Sequence, residues 1–121
     1  MKEEAIILTS GLFDSHNAKT AFGLIRNSEQ YEILAVIDQN FAGQDAGKLV
    51  DGQVLDIPIH ATINEFLRAR SLRNNLALEE SGHGVYAIIG IATQGGVIPE
   101  GLRIELLEAL SSGMHVVNGL H

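Results

Sequence analysis

The stretch ILTSGLFDSHNAKTAFG, Ile7 to Gly23, decides the fold. Its apolar start belongs to the run Ala5–Thr9, which has the continuous hydrophobicity of a strand buried on both faces of a parallel sheet. A glycine and a polar loop follow, and then Ala18, Ala21, Phe22 and Ile25 recur at i, i+3, i+4 and i+7, the spacing of one helical face. Strand, glycine loop and helix start together resemble a phosphate-binding loop, so the loop must be tested for its parts.

It lacks most of them. A Walker loop needs a glycine directly before the lysine and another six residues before it, so that backbone donors wrap the phosphate. Ala18 and Phe13 stand at those positions around Lys19-Thr20. The dinucleotide fingerprint has its first glycine at Gly11 but Phe13 where the second belongs. What survives is a helix N-terminus, whose free donors favour an anion. Two readings stay open: an anion or nucleotide contact around Ser10, Gly11, Asn17, Lys19 and Thr20, or a capped loop with a surface lysine.

The alternation begun there continues. Ile33–Asp38 is a second buried strand, and Asp56–His60 a third, with Pro58 pointing to an edge because proline cannot donate to a ladder. Thr62-Ile63-Asn64-Glu65 matches a capping box, so a helix begins there with Ile63, Phe66 and Leu67 inward. Leu78–Gly84 reads as a surface loop and Tyr86–Ala92 as a fourth, central strand. Pro99 suits the first position of a helix with Leu102, Leu106, Leu107 and Leu110 on its apolar face, and Gly113 suits a left-handed stop. His115–Leu120 is the fifth strand. The pattern predicts one α/β domain over residues 1–121: a three-layer, Rossmann-like, doubly wound parallel sheet of about five strands, ordered 3-2-1-4-5. Between the second and third strands, a short helix capped by Asp45 competes with a hairpin turning at Asp51-Gly52.

In that order the loops after the first and fourth strands meet at the switch point, where such sheets hold ligands. Gly11 and Gly95-Gly96 then face one crevice. Asp38 closes the second strand, the position from which an acid holds a ribose, or else it is a plain acidic turn residue. Gly43 lies in a glycine-rich loop at the same end. The five histidines show no metal-ligand spacing, and neither Ser10 nor Ser15 has an evident base, so no metal is expected and no catalytic set forms.

Bulk properties narrow the classes. The chain has 121 residues, enough to bury about two thirds of its unfolded surface without a staple. It has no cysteine, no basic leader and no apolar segment of membrane-spanning length, which suits a cytoplasmic protein. A formal charge of −7 argues against nucleic-acid or anionic-membrane partners. Arg68, Arg70 and Arg73 concentrate three of the eight cations, read as solvated helix surface.

The segments GLFDSHNAKTAFGLIR, AVIDQNFAGQDAG, DIPIHATINEFL, IIGIATQGGVIPEGLRIELLEAL and GMHVVNGLH resemble, in order, the amino-terminal Rossmann-like domain of a two-domain family of unknown function. The resemblance covers nearly the whole chain and implies a carboxyl-terminal P-loop domain directly after Gly119-Leu120-His121. Some members of that family are assigned as D-glutamate N-acetyltransferases. The resemblance thus implies a site shared between domains, with Gly11, Lys19, Thr20, Asp38, Gly43, Gly95 and Gly96 as contributors and a nucleotide or acyl-CoA as ligand. If the chemistry belongs to the P-loop domain, this piece alone is expected to be inactive. The alternatives are a small NAD(P)-binding oxidoreductase domain and a non-catalytic oligomerisation module; a homo-oligomer is expected on general grounds.

Overall fold

The computed structural model describes residues 2–14, 18–92 and 99–119. Five parallel strands form one sheet: β1 (Glu3–Leu8), β2 (Tyr31–Ile37), β3 (Ile59–His60), β4 (Tyr86–Ile89) and β5 (His115–Asn118). Their order is β3-β2-β1-β4-β5, as the alternation predicts. Among the described residues, four α-helices connect them: α1 (Lys19–Arg26), α2 (Ala46–Asp51), α3 (Ile63–Asn74) and α4 (Glu100–Ser111). α1 packs beside α2 and α3 beside α4, two helices to each face of the sheet. Ile6, Ile7, Leu8, Val36, Ile37 and Ile88 are shut off from solvent between these layers.

β1 and β2 pair with a slip. Ala5 lies opposite Ile33, yet Ile6 lies opposite Ala35, so Leu34 has no partner across the ladder. Gly90, directly after β4, lets α1 close onto the sheet: a Cβ there would stand 2.4 Å from Ile7 Cγ2, and its carbonyl accepts from Ala21 N at 3.3 Å.

Of the two readings of the second connection, the helix capped by Asp45 forms, and Asp51-Gly52 is its carboxyl end instead of a hairpin turn. Asp45 caps α2, accepting from Lys48 N at 3.0 Å, and Gly52 ends the helix in the left-handed region. Asp45 also accepts from Leu55 N and Ile57 N, at 3.1 and 2.8 Å, so one carboxylate folds the chain back toward β3. Burial alone would raise its pKa, but these donors with Lys48 and Gly47 hold it below the ordinary value. The capping box of α3 forms, with Glu65 N donating to Thr62 Oγ1 at 3.1 Å and Glu65 Oε2 reaching back to Ala61 N at 2.9 Å.

Three expectations need correction. Residues 78–84 are a surface loop only in part: Leu78–Glu80 is an exposed 3-10 turn and His83 and Gly84 are exposed, but Ser81 and Gly82 are buried, Gly82 against the end of α4. Pro99 caps α4 from outside instead of opening it. The buried face of α4 is Leu102, Glu105 and Ala109, while Leu107 and Leu110 are each 59 % exposed. The four leucines span more than one face, and the sheet takes the stripe that includes the glutamate.

Candidate site at the carboxyl edge of the sheet

β1 ends in a tight turn. Leu12 N donates to Thr9 O at 2.9 Å, and both residues between them have positive φ, 50° at Ser10 and 85° at Gly11. A serine in that region costs about 1–2 kcal/mol of backbone strain, the kind of outlier that collects at functional sites.

Asp38 holds the turn in place. Its side chain is fully buried, and Oδ2 accepts from Thr9 Oγ1 at 2.7 Å and from Phe13 N at 3.0 Å. Oδ1 accepts from Asn40 N at 2.9 Å, an Asx turn that steers the chain out of β2. Asn40 then donates from Nδ2 to Gly11 O at 3.0 Å, and Gln39 lies beside it: a Cβ on Gly11 would meet the two side-chain amides at 2.9 and 3.0 Å. The loops after β1 and β2 are therefore stitched together, and the acid of Asp38 faces inward to its own loops.

The start of α4 closes on the same point, since a Cβ at Gly101 would stand 2.8 Å from Ser10 Oγ. One turn further along α4, Glu105 is 7 % exposed and its Oε1 has no hydrogen-bond partner among the described residues. Burial first, then the charges of Asp38 and Glu108, push its pKa up to about 8, so the carboxyl is protonated at neutral pH.

A family model described as "Domain of unknown function (DUF1611_N) Rossmann-like domain" matches residues 39–121, more than half of the chain. The chain belongs to the DUF1611 family. Six chains of solved structures match it, among them a DUF1611 family protein from Anabaena variabilis ATCC 29413 at 35 % identity and a TM-score of 0.71. That alignment covers 99 % of this chain and 31 % of the other, so the chain spans about a third of that protein's length. A search of curated proteins gives no match.

The fold thus gathers only part of the expected site for a DUF1611 domain. Ser10, Gly11 and Asp38 come together; Asn17, Gly95 and Gly96 lie outside the described residues. Lys19 is exposed in the first turn of α1, while the Thr20 methyl faces Gly119 beyond β5. Gly43 has φ 89° in the loop after β2, and its N–H donates to Ile59 O at 2.9 Å, toward the β3 edge and away from Gly11.

Sequence reasoning missed Thr9, Gln39, Asn40 and Glu105. Asn40 had a signal, standing two residues after an aspartate that ends a strand. Glu105 had one too: Leu102, Glu105 and Ala109 fall at i, i+3 and i+7, but the neighbouring leucines mask them. Among the described residues, no group of three or more His, Asp or Glu side chains could hold a metal, and no helix is long and apolar enough to cross a membrane.

Proposed function

We propose that this domain forms one wall of a nucleotide site at the carboxyl edge of its sheet, and that a P-loop domain, implied by the family resemblance, completes it. The observation that carries this reading is the convergence of Ser10, Gly11, Gln39 and Asn40, with Ser10 Oγ set against Gly101 at the start of α4. These groups offer hydroxyl and amide hydrogen bonds and no free cation. The N–H groups of Leu12 and Phe13, which a phosphate would need, already donate to Thr9 O and Asp38. Two acids, Asp38 and Glu105, stand behind them. Such a wall suits the sugar and base of a nucleotide and leaves phosphate charge to the P-loop.

The nucleotide portion of an acyl-CoA fits the same division of labour, in keeping with an N-acetyltransferase acting on an acidic amino acid. An NAD(P) oxidoreductase fits less well, because the acid that would hold a ribose is spent on Thr9, Phe13 and Asn40.

Thermal unfolding of this chain and of a two-domain family member, with ATP, NAD, acetyl-CoA and glutamate each added, tests the reading. A ligand at 100 times its Kd adds about 2.7 kcal/mol. The two-domain protein should shift with ATP or acetyl-CoA, and Gln39→Ala should reduce that shift. No shift with any ligand in either protein, or a shift indifferent to Gln39→Ala, overturns it.

A non-catalytic assembly role is the second reading. It is favoured by Ile104, Leu107 and Leu110 on α4, which are 52 %, 59 % and 59 % exposed. Sedimentation decides it: a strict monomer at high concentration rules it out.

A further inference from the structure

A second concave feature lies away from the carboxyl edge, where α3 overhangs the end of the sheet at β3. β3 has only two residues and its neighbour Pro58 donates nothing, so the sheet ends short beneath the helix. The result is a cleft of about 230 Å³. Its apolar lining is Leu34, the residue skipped in the β1–β2 register, with Pro58 and Phe66.

Its polar lining carries unbalanced positive charge. Arg70 and Arg73 are three apart on α3 and share a face. Arg70 is paired through Nη2 with Glu4 Oε1 at 2.8 Å, but its Nε is buried and has no acceptor among the described residues. An N–H of a guanidinium left in that state bears its full desolvation cost. Arg73 is exposed and has no carboxylate within ion-pair distance among the described residues. Asp45 and Asp56 line the neighbouring cleft on the far side of Arg73, and both oxygens of Asp45 are taken by backbone donors. Among the residues that line this cleft, two guanidiniums stand against one carboxylate, Glu4, on a chain whose net charge is −7, while Asp45 and Asp56 add carboxylates on the other side of Arg73.

We propose that this cleft binds a small carboxylate bearing a short apolar chain. The carboxylate would pair with the guanidiniums of Arg70 and Arg73 that line the cleft, the group whose planar fork suits a carboxylate. The chain would cover Leu34, Pro58 and Phe66. The volume falls below the range usual for drug-sized ligands, which limits the occupant to a few carbons. His60, at the rim, is kept below its usual pKa by burial, with Arg73 adding to the fall and Glu65 opposing it, so at neutral pH it adds a hydrogen-bonding ring and no charge. This site is independent of the nucleotide reading, since none of its lining residues belongs to the loops after β1 and β2.

The test is amide chemical-shift mapping of the whole chain titrated with butyrate, inorganic phosphate and butanol in parallel. Butyrate should give saturable shifts centred on Leu34, Phe66, Arg70 and Arg73, with phosphate weaker and butanol not saturating. Arg73→Ala should weaken butyrate about tenfold or more, and Arg70→Lys, which keeps the charge but loses the planar fork, should weaken it as well. Arg73 is exposed and has no ion-pair partner among the described residues, so its variant stays folded and keeps the test decisive if Arg70→Lys does not fold. The proposal fails if butyrate produces no saturable shifts there, if Arg73→Ala binds as well as the parent, or if phosphate or butanol binds as tightly as butyrate.

Discussion

Thr9 and Asp38 end adjacent strands, 29 positions apart in sequence, and join through a 2.7 Å hydrogen bond from hydroxyl to carboxylate. Thr9 Oγ1 also lies 3.2 Å from Ile37 O, but a hydroxyl has one proton and the nearer, charged acceptor takes it. Removing the carboxylate strands the buried Phe13 N–H and leaves Thr9 only the weaker contact. Asp38→Ala should therefore cost about 2–4 kcal/mol in urea unfolding, and Asp38→Asn clearly less. A cost below about 1 kcal/mol for the alanine variant would mean the carboxylate is not the anchor of these loops.

Glu105 makes stability depend on pH in the opposite sense to an ordinary surface acid. Its folded pKa is raised from 4.5 to about 8, so below pH 4.5 both states hold the proton and nothing is lost. Between those values the unfolded chain releases its proton while the folded one keeps it, and stability falls as pH rises, levelling off above about 8. Glu105→Gln should flatten this decline and raise the urea midpoint at pH 8 and above. Parallel curves for the two proteins from pH 5 to 9 would refute the buried, protonated carboxyl.

Asp45 behaves conversely. Its lowered pKa means its contribution is present above the ordinary carboxylate range and disappears as pH falls through the folded value. Asp45→Ala removes the cap of α2 and the ties to Leu55 and Ile57, costing about 1–2 kcal/mol at pH 7. The deficit relative to the parent should shrink below pH 4, read by chemical denaturation at several pH values.

Two glycines in helices should respond with opposite signs. A Cβ on Gly47 would stand 2.4 Å from Leu55 Cγ and 2.7 Å from Gln53 O, so Gly47→Ala must move backbone and should destabilise by about 1–3 kcal/mol. Gly23 in α1 has nothing within 4 Å, and Gly23→Ala should stabilise by about 0.5–1 kcal/mol. Thermal midpoints of the two variants moving in the same direction would contradict this packing.

Strand order was legible because buried parallel strands must be continuously apolar, and Ala5–Leu8, Ala35–Ile37 and Tyr86–Ile89 announce themselves. Helix starts were legible where chemistry is local, as in Thr62 with Glu65. The inward face of α4 was not, because leucine spacing alone fits several faces and only packing against the sheet selects one. The site was half legible. Gly11 could be placed from the switch-point rule, whereas the inward turn of Asp38 depends on its distance from Thr9 in space. Arg70 illustrates the same limit, since a run of arginines looks solvated until Glu4, 66 positions away, is brought beneath it.

The unpaired Leu34 has a consequence at the far end of its strand. Up to Ala5 and Ile33 the two strands run in one phase, and from Ile6 and Ala35 onward in the next. Had the count continued unbroken, Ile37 would stand opposite Thr9 and Asp38 would turn to the other side of the sheet. One surplus residue in mid-strand therefore acts as a phase shifter. It brings the acid to the threonine, and it makes the spacing between Ile33 and Asp38 as strict a requirement of this domain as the identity of either partner.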